Sequence, residues 1–184
     1  MKPKTVFSAW LFTAAMALFA ILPTASAANR AELERESRLA LNSLLANVPQ
    51  ARLLSEKAIA VLVFPKVTKA GLVIGGQYGD GVLWQNDKAV GFYNTSGASF
   101  GLQAGAQQFG YALFFMKESA LGALTRAEGF EVGVGPSVVV MDQGMSYQKS
   151  TTTYQDDIYA FIFGQKGLMA GIGIQGNKLT KINP

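Results

Sequence analysis

The stretch from Phe64 to Leu83 narrows the folds open to this chain more than any other, because it sets five glycines among β-branched and aliphatic residues. Glycine inside a strand marks a bulge, a sharp bend or a place where another backbone comes close. The segment therefore reads as extended chain that has to curve. Similar glycine-interrupted strands are expected at Gly97–Gln107, Phe130–Met141 and Gly167–Gly176. Four bent strands point to one strongly curved, mostly antiparallel sheet, or a barrel-like closure, rather than a flat open sheet.

Helices are expected before and within this sheet. Ala40, Leu41, Leu44, Leu45 and Val48 recur at three- and four-residue spacing and make one apolar stripe. Asn29 is the expected cap of that helix, with Glu32 three residues on as its capping-box partner, and the polar first half reads as solvated. Pro49 ends it, and Gln50–Lys57 suits one more short helical segment. Ala58–Phe64 is an unbroken apolar run, as in a strand buried on both faces. Gln85-Asn86-Asp87-Lys88 reads as a hairpin turn. Across Gly97–Gln107, alanine, phenylalanine and leucine alternate with glycine, serine and glutamine, so one face of that strand is lined for close approach or polar contact. Tyr111–Met116 is a further strand, Lys117–Arg126 a helix with Gly129 at its C-cap, and Val138–Met141, Ile158–Phe163, Leu168–Ile174 and Leu179–Ile182 are short strands. Met145–Thr153 reads as a polar edge strand or loop. The sum is α+β, with N-terminal helices, one internal helix and roughly nine short strands.

The first 27 residues have the form of a signal peptide. Lys2 and Lys4 precede an apolar run from Val6 to Leu22, and Ala25-Ser26-Ala27 offers a small-x-small cleavage site. Residues 28–57 then form the N-terminal helical segment and residues 58–184 the glycine-rich β part of one domain. The expected location is periplasmic or secreted, and the chain lacks the cysteine that a lipoprotein needs. Of 16 basic residues, Lys2 and Lys4 leave with the leader, so 14 face 12 acidic ones. A balance of +2 is far from the dense basic patch of a nucleic-acid binder, and no such partner is expected.

With neither histidine nor cysteine in the sequence, disulfides, thiolate and imidazole metal sites and histidine-based triads are excluded. No catalytic residues, metal site or cofactor are assigned, and the chain is not expected to be an enzyme. Gly171-Ile172-Gly173-Ile174-Gln175-Gly176 spells a dinucleotide fingerprint, but a strand pattern follows it where a helix would have to hold the pyrophosphate. Ser146-Tyr147-Gln148-Lys149 matches S-x-x-K without the companion motifs of that enzyme class. Asp156-Asp157 reads as an acidic turn ahead of a strand, and Asp80 as part of a turn or bulge. Tyr78, Trp84, Phe92, Tyr93, Tyr154, Tyr159, Phe161 and Phe163 read mainly as core.

Four blocks, Phe64–Gly71, Gly75–Leu83, Ser99–Gln107 and Tyr159–Gly171, together resemble the SYLF domain, also called the Ysc84 or DUF500 family, over residue 30 to the end. That resemblance implies a domain that meets membranes, through phosphoinositides and actin in eukaryotic members and through anionic lipid by analogy in exported bacterial ones. Actin is not an expected partner in the periplasm. The candidate anion-binding residues are Lys66 and Lys69 of the first block, with Lys166, Lys178 and Lys181 at other strand ends or turns. Two other readings stand beside lipid binding: an envelope structural module that pairs with another protein through its glycine-rich face or an exposed strand, and an outer-membrane barrel.

Overall fold

A computed structural model describes residues 25–71, 74–100, 105–126, 129–141, 155–166 and 173–184. Helix α1 (Ala25–Asn47) carries the expected stripe: Leu41 and Leu44 are buried, and Ala40, Leu45 and Val48 pack against the same cluster. It opens before Asn29, so Asn29 is part of the helix body and not its cap. Ala25, Ala27 and Ala28 extend the helix upstream, as the strongest helix former would. The expected cleavage after Ala27 falls within its first turn. Val48 is extended, as a residue before proline prefers, and Pro49 opens α2 (Pro49–Ser55) at a position where its missing N–H costs nothing. Among the described residues, no helix is long and apolar enough to cross a membrane.

The polar half of α1 is largely solvated, as expected, with residues 29–32, Arg35 and Glu36 exposed, but three of its residues tie it to the sheet. Buried Ser37 accepts the indole N–H of Trp84 at 2.8 Å. Arg38 lies 3.9 Å from the centre of the Trp84 ring and donates to the Asp87 carboxylate and main-chain carbonyl at 2.8 and 2.6 Å. Arg30 sits over Phe92. Contacts of this kind contribute about 0.5–1 kcal/mol each at exposed sites.

The strands are β1 (Ala60–Gly71), β2 (Ile74–Gln85), β3 (Lys88–Phe100), β4 (Gly105–Phe115), β5 (Phe130–Glu131), β6 (Val138–Met141), β7 (Ile158–Lys166) and β8 (Lys178–Ile182). They form one strongly curled half-barrel in the order β5-β8-β3-β2-β1-β4-β7-β6, antiparallel except where β6 meets β7. The α+β expectation and the curved sheet both hold. At its centre β4-β1-β2-β3 is a Greek key. Asn86 and Asp87 both take positive φ, which gives the β2–β3 hairpin the primed turn that matches strand twist.

Two expectations on the strands fail, each with a local cause, and a third lies mostly outside the described residues. Gly97–Gln107 is not one strand, because it divides between the end of β3 and the start of β4, which β2 and β1 separate in the sheet. Its alternation runs on because an even number of residues, 101–104, lies between the two strands. Phe130–Met141 breaks at Gly133 and Gly135, both with positive φ, into β5 and β6 on opposite edges. In Gly167–Gly176 only 173–176 is described, and it is a turn, so no helix follows the G-x-G-x-x-G motif. Met145–Thr153, Ser146–Lys149, Tyr154 and residues 168–172 lie outside the described residues. The internal helix is α3 (Glu118–Thr125); Gly129 has positive φ but lies past an extended Arg126 and does not cap it.

Apolar cores cover both faces. On the outer face α1 and α2 pack Leu41, Leu44, Ala51 and Leu54 onto Val61, Val63, Val82, Trp84, Ala112, Phe114 and Phe161. On the inner face α3 and Phe130, Val132 and Ile174 close over Leu62, Phe64, Val67, Leu83, Tyr111 and Leu113. The curl requires missing side chains. A Cβ on Gly81 would stand 2.6 Å from both the Val63 carbonyl and the Phe64 ring, and one on Gly79 would stand 2.6 Å from the Lys66 carbonyl. β1 also carries one extra residue: Val63 faces Val82 and Phe64 faces Tyr111, but Lys66 faces Asp80 and Val67 faces Phe109. Pro65, with no N–H to offer a neighbour, sits in this bulge.

Asp156-Asp157 is the expected acidic turn. Asp157 accepts the Ser137 N–H at 2.9 Å and pairs with Lys117 at 2.7 Å, which links the start of β7 to β6 and α3. The hydrogen bond from Lys117, then that from Ser137, hold its carboxyl below the ordinary 3.8.

Two measurements test these arrangements. Gly81→Ala should lower stability to urea by about 2 kcal/mol through overpacking, while Gly122→Ala in α3, with nothing within 4 Å of its Cβ, should raise it by about 0.5–1 kcal/mol; equal effects would contradict the steric account. A carboxyl with a depressed folded-state pKa stabilises the fold above its unfolded pKa and loses that contribution as pH falls through the folded one. The gap in melting temperature between the wild type and Asp157→Asn should therefore be full at neutral pH and shrink below about pH 4.

Candidate functional site

Because side chains alternate across a strand, residues three apart face opposite ways. Lys66 accordingly stands exposed on the outer face of β1, while Lys69 points into the curl and is only 3% exposed. Lys178 and Lys181 are both exposed on β8, opposite Ser96 and Tyr93, and β3 and β2 lie between them and β1. Lys166 ends β7 with its backbone opposite Gln108; its side chain lies outside the described atoms. Lys66 and Lys69, three residues apart in the motif, thus belong to two different sites.

The inner site is built at the end of the curl beyond Phe109 and Tyr111. Lys69 stands between Gln77 on β2 and Gln107 on β4, opposite both in register. Gln77 and Gln107 are 5% and 1% exposed. Gln77 donates its amide N–H to Asn177 Oδ1 and to the Gly173 carbonyl. Asn177 donates to Thr95 Oγ1 at 3.2 Å, and the Tyr111 hydroxyl donates to the same oxygen at 2.6 Å. Burial pushes the Tyr111 hydroxyl far above the ordinary phenol range, although its bonds to Thr95 and Asn177 pull back, so it remains a donor. A Cβ on Gly97 would collide with Asn177, which is why β3 has no side chain there. The chain Tyr111–Thr95–Asn177–Gln77 therefore fixes one amide in place. It leaves Gln77 Oε1 and both polar atoms of Gln107 buried without a hydrogen-bond partner. Lys69 has no ion-pair or hydrogen-bond acceptor among the described residues. An unmet buried polar atom costs about 1–3 kcal/mol, so three of them beside a buried ammonium are not an economical way to fill a core.

The outer site is a groove of about 350 Å³ between α1 and the bulged part of the sheet. Arg35, Glu36 and Lys66 supply its charge, and Leu39, Ala40 and Pro65 its apolar lining. Leu39 is 57% exposed, an unusual position for a large apolar side chain beside two cations. Arg35 stands 4.0 Å from Glu32, a long and exposed pair of little energetic consequence. Next to the groove, Asp80 accepts from Asn94 at 2.7 Å and sits opposite Lys66 at the bulge, the structural role its sequence context suggested. Its charge, together with some burial, raises the Tyr78 hydroxyl pKa.

Sequence reasoning singled out Lys66 and Lys69 as candidates but not Arg35, Gln77, Thr95 or Asn177. The signal it did have was the glycine, serine and glutamine face of Gly97–Gln107, to which Gln107 belongs. Asn177 arrives from a distant turn, and nothing local in the sequence pairs it with Gln77.

These features define an α+β domain whose curled sheet holds a polar interior and carries helices on its outer face. Residues 96–183, from β3 to β8, match the Ysc84 family, described as Las17-binding protein actin regulator, so this part of the chain is similar to that family. A comparison with curated proteins gives no match.

The interior network makes an ordered prediction. Asn177→Ala removes a donor and an acceptor and strands Gln77, so it should cost about 2 kcal/mol, whereas Tyr111→Phe removes one hydroxyl and should cost about 1 kcal/mol. Chemical denaturation of the two variants checks the order, and the reverse order would mean that Asn177 does not organise the site.

Proposed function

We propose that this protein is a non-catalytic, exported, membrane-associated protein that binds anionic lipid headgroups through the groove between α1 and β1. The observation that carries the reading is the meeting of Arg35 and Lys66 with the exposed side chain of Leu39 in one groove. Two cations attract a headgroup phosphate, and an apolar side chain at their side favours the adjoining acyl region. The volume lies within the range of pockets that take a small polar group and part of its apolar attachment. The match of residues 96–183 to the Ysc84 family supports the same reading by analogy, and the leader-like first 27 residues support export. In a periplasmic setting the ligand class is an anionic phospholipid, with phosphoinositides as the analogous ligand of eukaryotic relatives. A second reading, a protein-interaction module of the envelope, draws support from the family description, which names a protein partner.

Cosedimentation with vesicles separates the two. Binding should rise with the fraction of phosphatidylglycerol in phosphatidylcholine vesicles and fall as salt is raised. Each basic residue near an anionic surface is worth about 1 kcal/mol, so Arg35→Gln with Lys66→Gln should weaken binding roughly 10- to 30-fold. Salt-insensitive binding, or a double variant that binds like the wild type, would remove the groove from the account. Retention of an envelope partner after delipidation would favour the second reading.

A further inference from the structure

The inner face carries a second site, separate from the groove. We infer that Lys69, Gln77 and Gln107 form a buried receptor for an oxyanion that also bears a hydroxyl, the chemistry of phosphate and its monoesters.

The unmet groups specify the ligand. Lys69 supplies positive charge and up to three donors and has no acceptor among the described residues, so the missing partner is an acceptor with negative charge. The Gln107 amide adds unmet donors, which suits a second oxygen of the same anion. Gln77 Oε1 and Gln107 Oε1 are unmet acceptors, and these require a ligand that also donates. A fully ionised oxyanion satisfies the first two needs and repels the third. A protonated phosphate or phosphate monoester satisfies all three, because it presents P–O⁻ and P–OH together.

The site is built rather than incidental. Its three side chains come from adjacent strands in one register row, with the ammonium in the middle and an amide on either side at strand spacing of roughly 4.8 Å. Gln77 cannot turn its unmet oxygen away without giving up the bonds to Asn177 and Gly173, and Asn177 is itself held by Thr95. Water would serve the amides, but it supplies no counter-charge to Lys69.

The test uses the purified full chain in phosphate-free buffer. Its melting temperature is read with inorganic phosphate, sulfate and soluble dihexanoyl phosphatidic acid at equal ionic strength, and affinities are taken from titration calorimetry. Phosphate should stabilise the protein and sulfate should not, since sulfate carries no proton at neutral pH. If phosphatidic acid binds and free phosphate does not, the occupant is a lipid headgroup; the converse identifies a free phosphate compound. Lys69→Met should lower affinity at least tenfold. Gln107→Glu, nearly isosteric, places a carboxylate beside Lys69; it should raise the melting temperature without ligand and abolish the response to phosphate. This second variant keeps the test decisive should the first fail to fold. Lys57→Gln, at an exposed lysine outside both sites, should leave phosphate binding unchanged. Equal stabilisation by phosphate and sulfate, binding of neither phosphate nor phosphatidic acid, or a Gln107→Glu protein that responds as the wild type does would overturn the assignment.

Discussion

One additional residue in β1 decides the character of both candidate sites. Without the bulge at Pro65, strict alternation from Leu62 and Phe64 would turn Lys66 and Thr68 inward, and Val67 and Lys69 would face out. The inserted residue reverses this after Phe64, so that Val67 completes the aromatic inner core and Lys69 follows it into the curl. Lys66 is left outside, next to α1. The partner strands make room for the kink: glycine at 79 and 81 lets β2 lie against the bulged backbone, where any side chain would collide. Steric fit across one hairpin thus places one lysine in solvent and one in the interior.

The outer face depends on a different kind of contact. α1 has a polar upstream half, and its attachment there rests on Trp84, which receives Arg38 on its ring and donates its indole N–H to Ser37. Because Arg38 also reaches the Asn86–Asp87 turn, the helix is registered against the end of the β2–β3 hairpin. That registration sets the position of Arg35, about one turn away, and of the neighbouring Leu39 above the bulge. The groove is therefore a product of helix docking and strand irregularity together.

Much of this architecture was legible from residues alone. The apolar stripe of α1, the doubly buried start of β1, the Asn86-Asp87 turn and the need for a curved sheet all follow from local chemistry, and each is present. What failed was reasoning across gaps. The period of two in Gly97–Gln107 survives an even-numbered break, so alternation cannot tell one strand from two. Asn29 looked like a cap because capping chemistry is local, but the alanines before it carry the helix further back. The five lysines were grouped by charge and by position at strand ends, whereas burial of Lys69 is set by a bulge and by partners on β2 and β4. The polar interior was the least legible part, since Gln77, Thr95 and Asn177 come together only through long-range pairing.

The order of strands in the sheet has a consequence for biogenesis. The Greek key β4-β1-β2-β3 is synthesised before the strands that flank it, since β7 covers the free side of β4 and β8 covers that of β3. Until those segments emerge, two long strands with unpaired backbone groups stand open at either side, a state that invites association with other chains. Docking of β7 on β4 and of β8 on β3 covers both of these sides, so the fold stays open to such association until its flanking strands have paired.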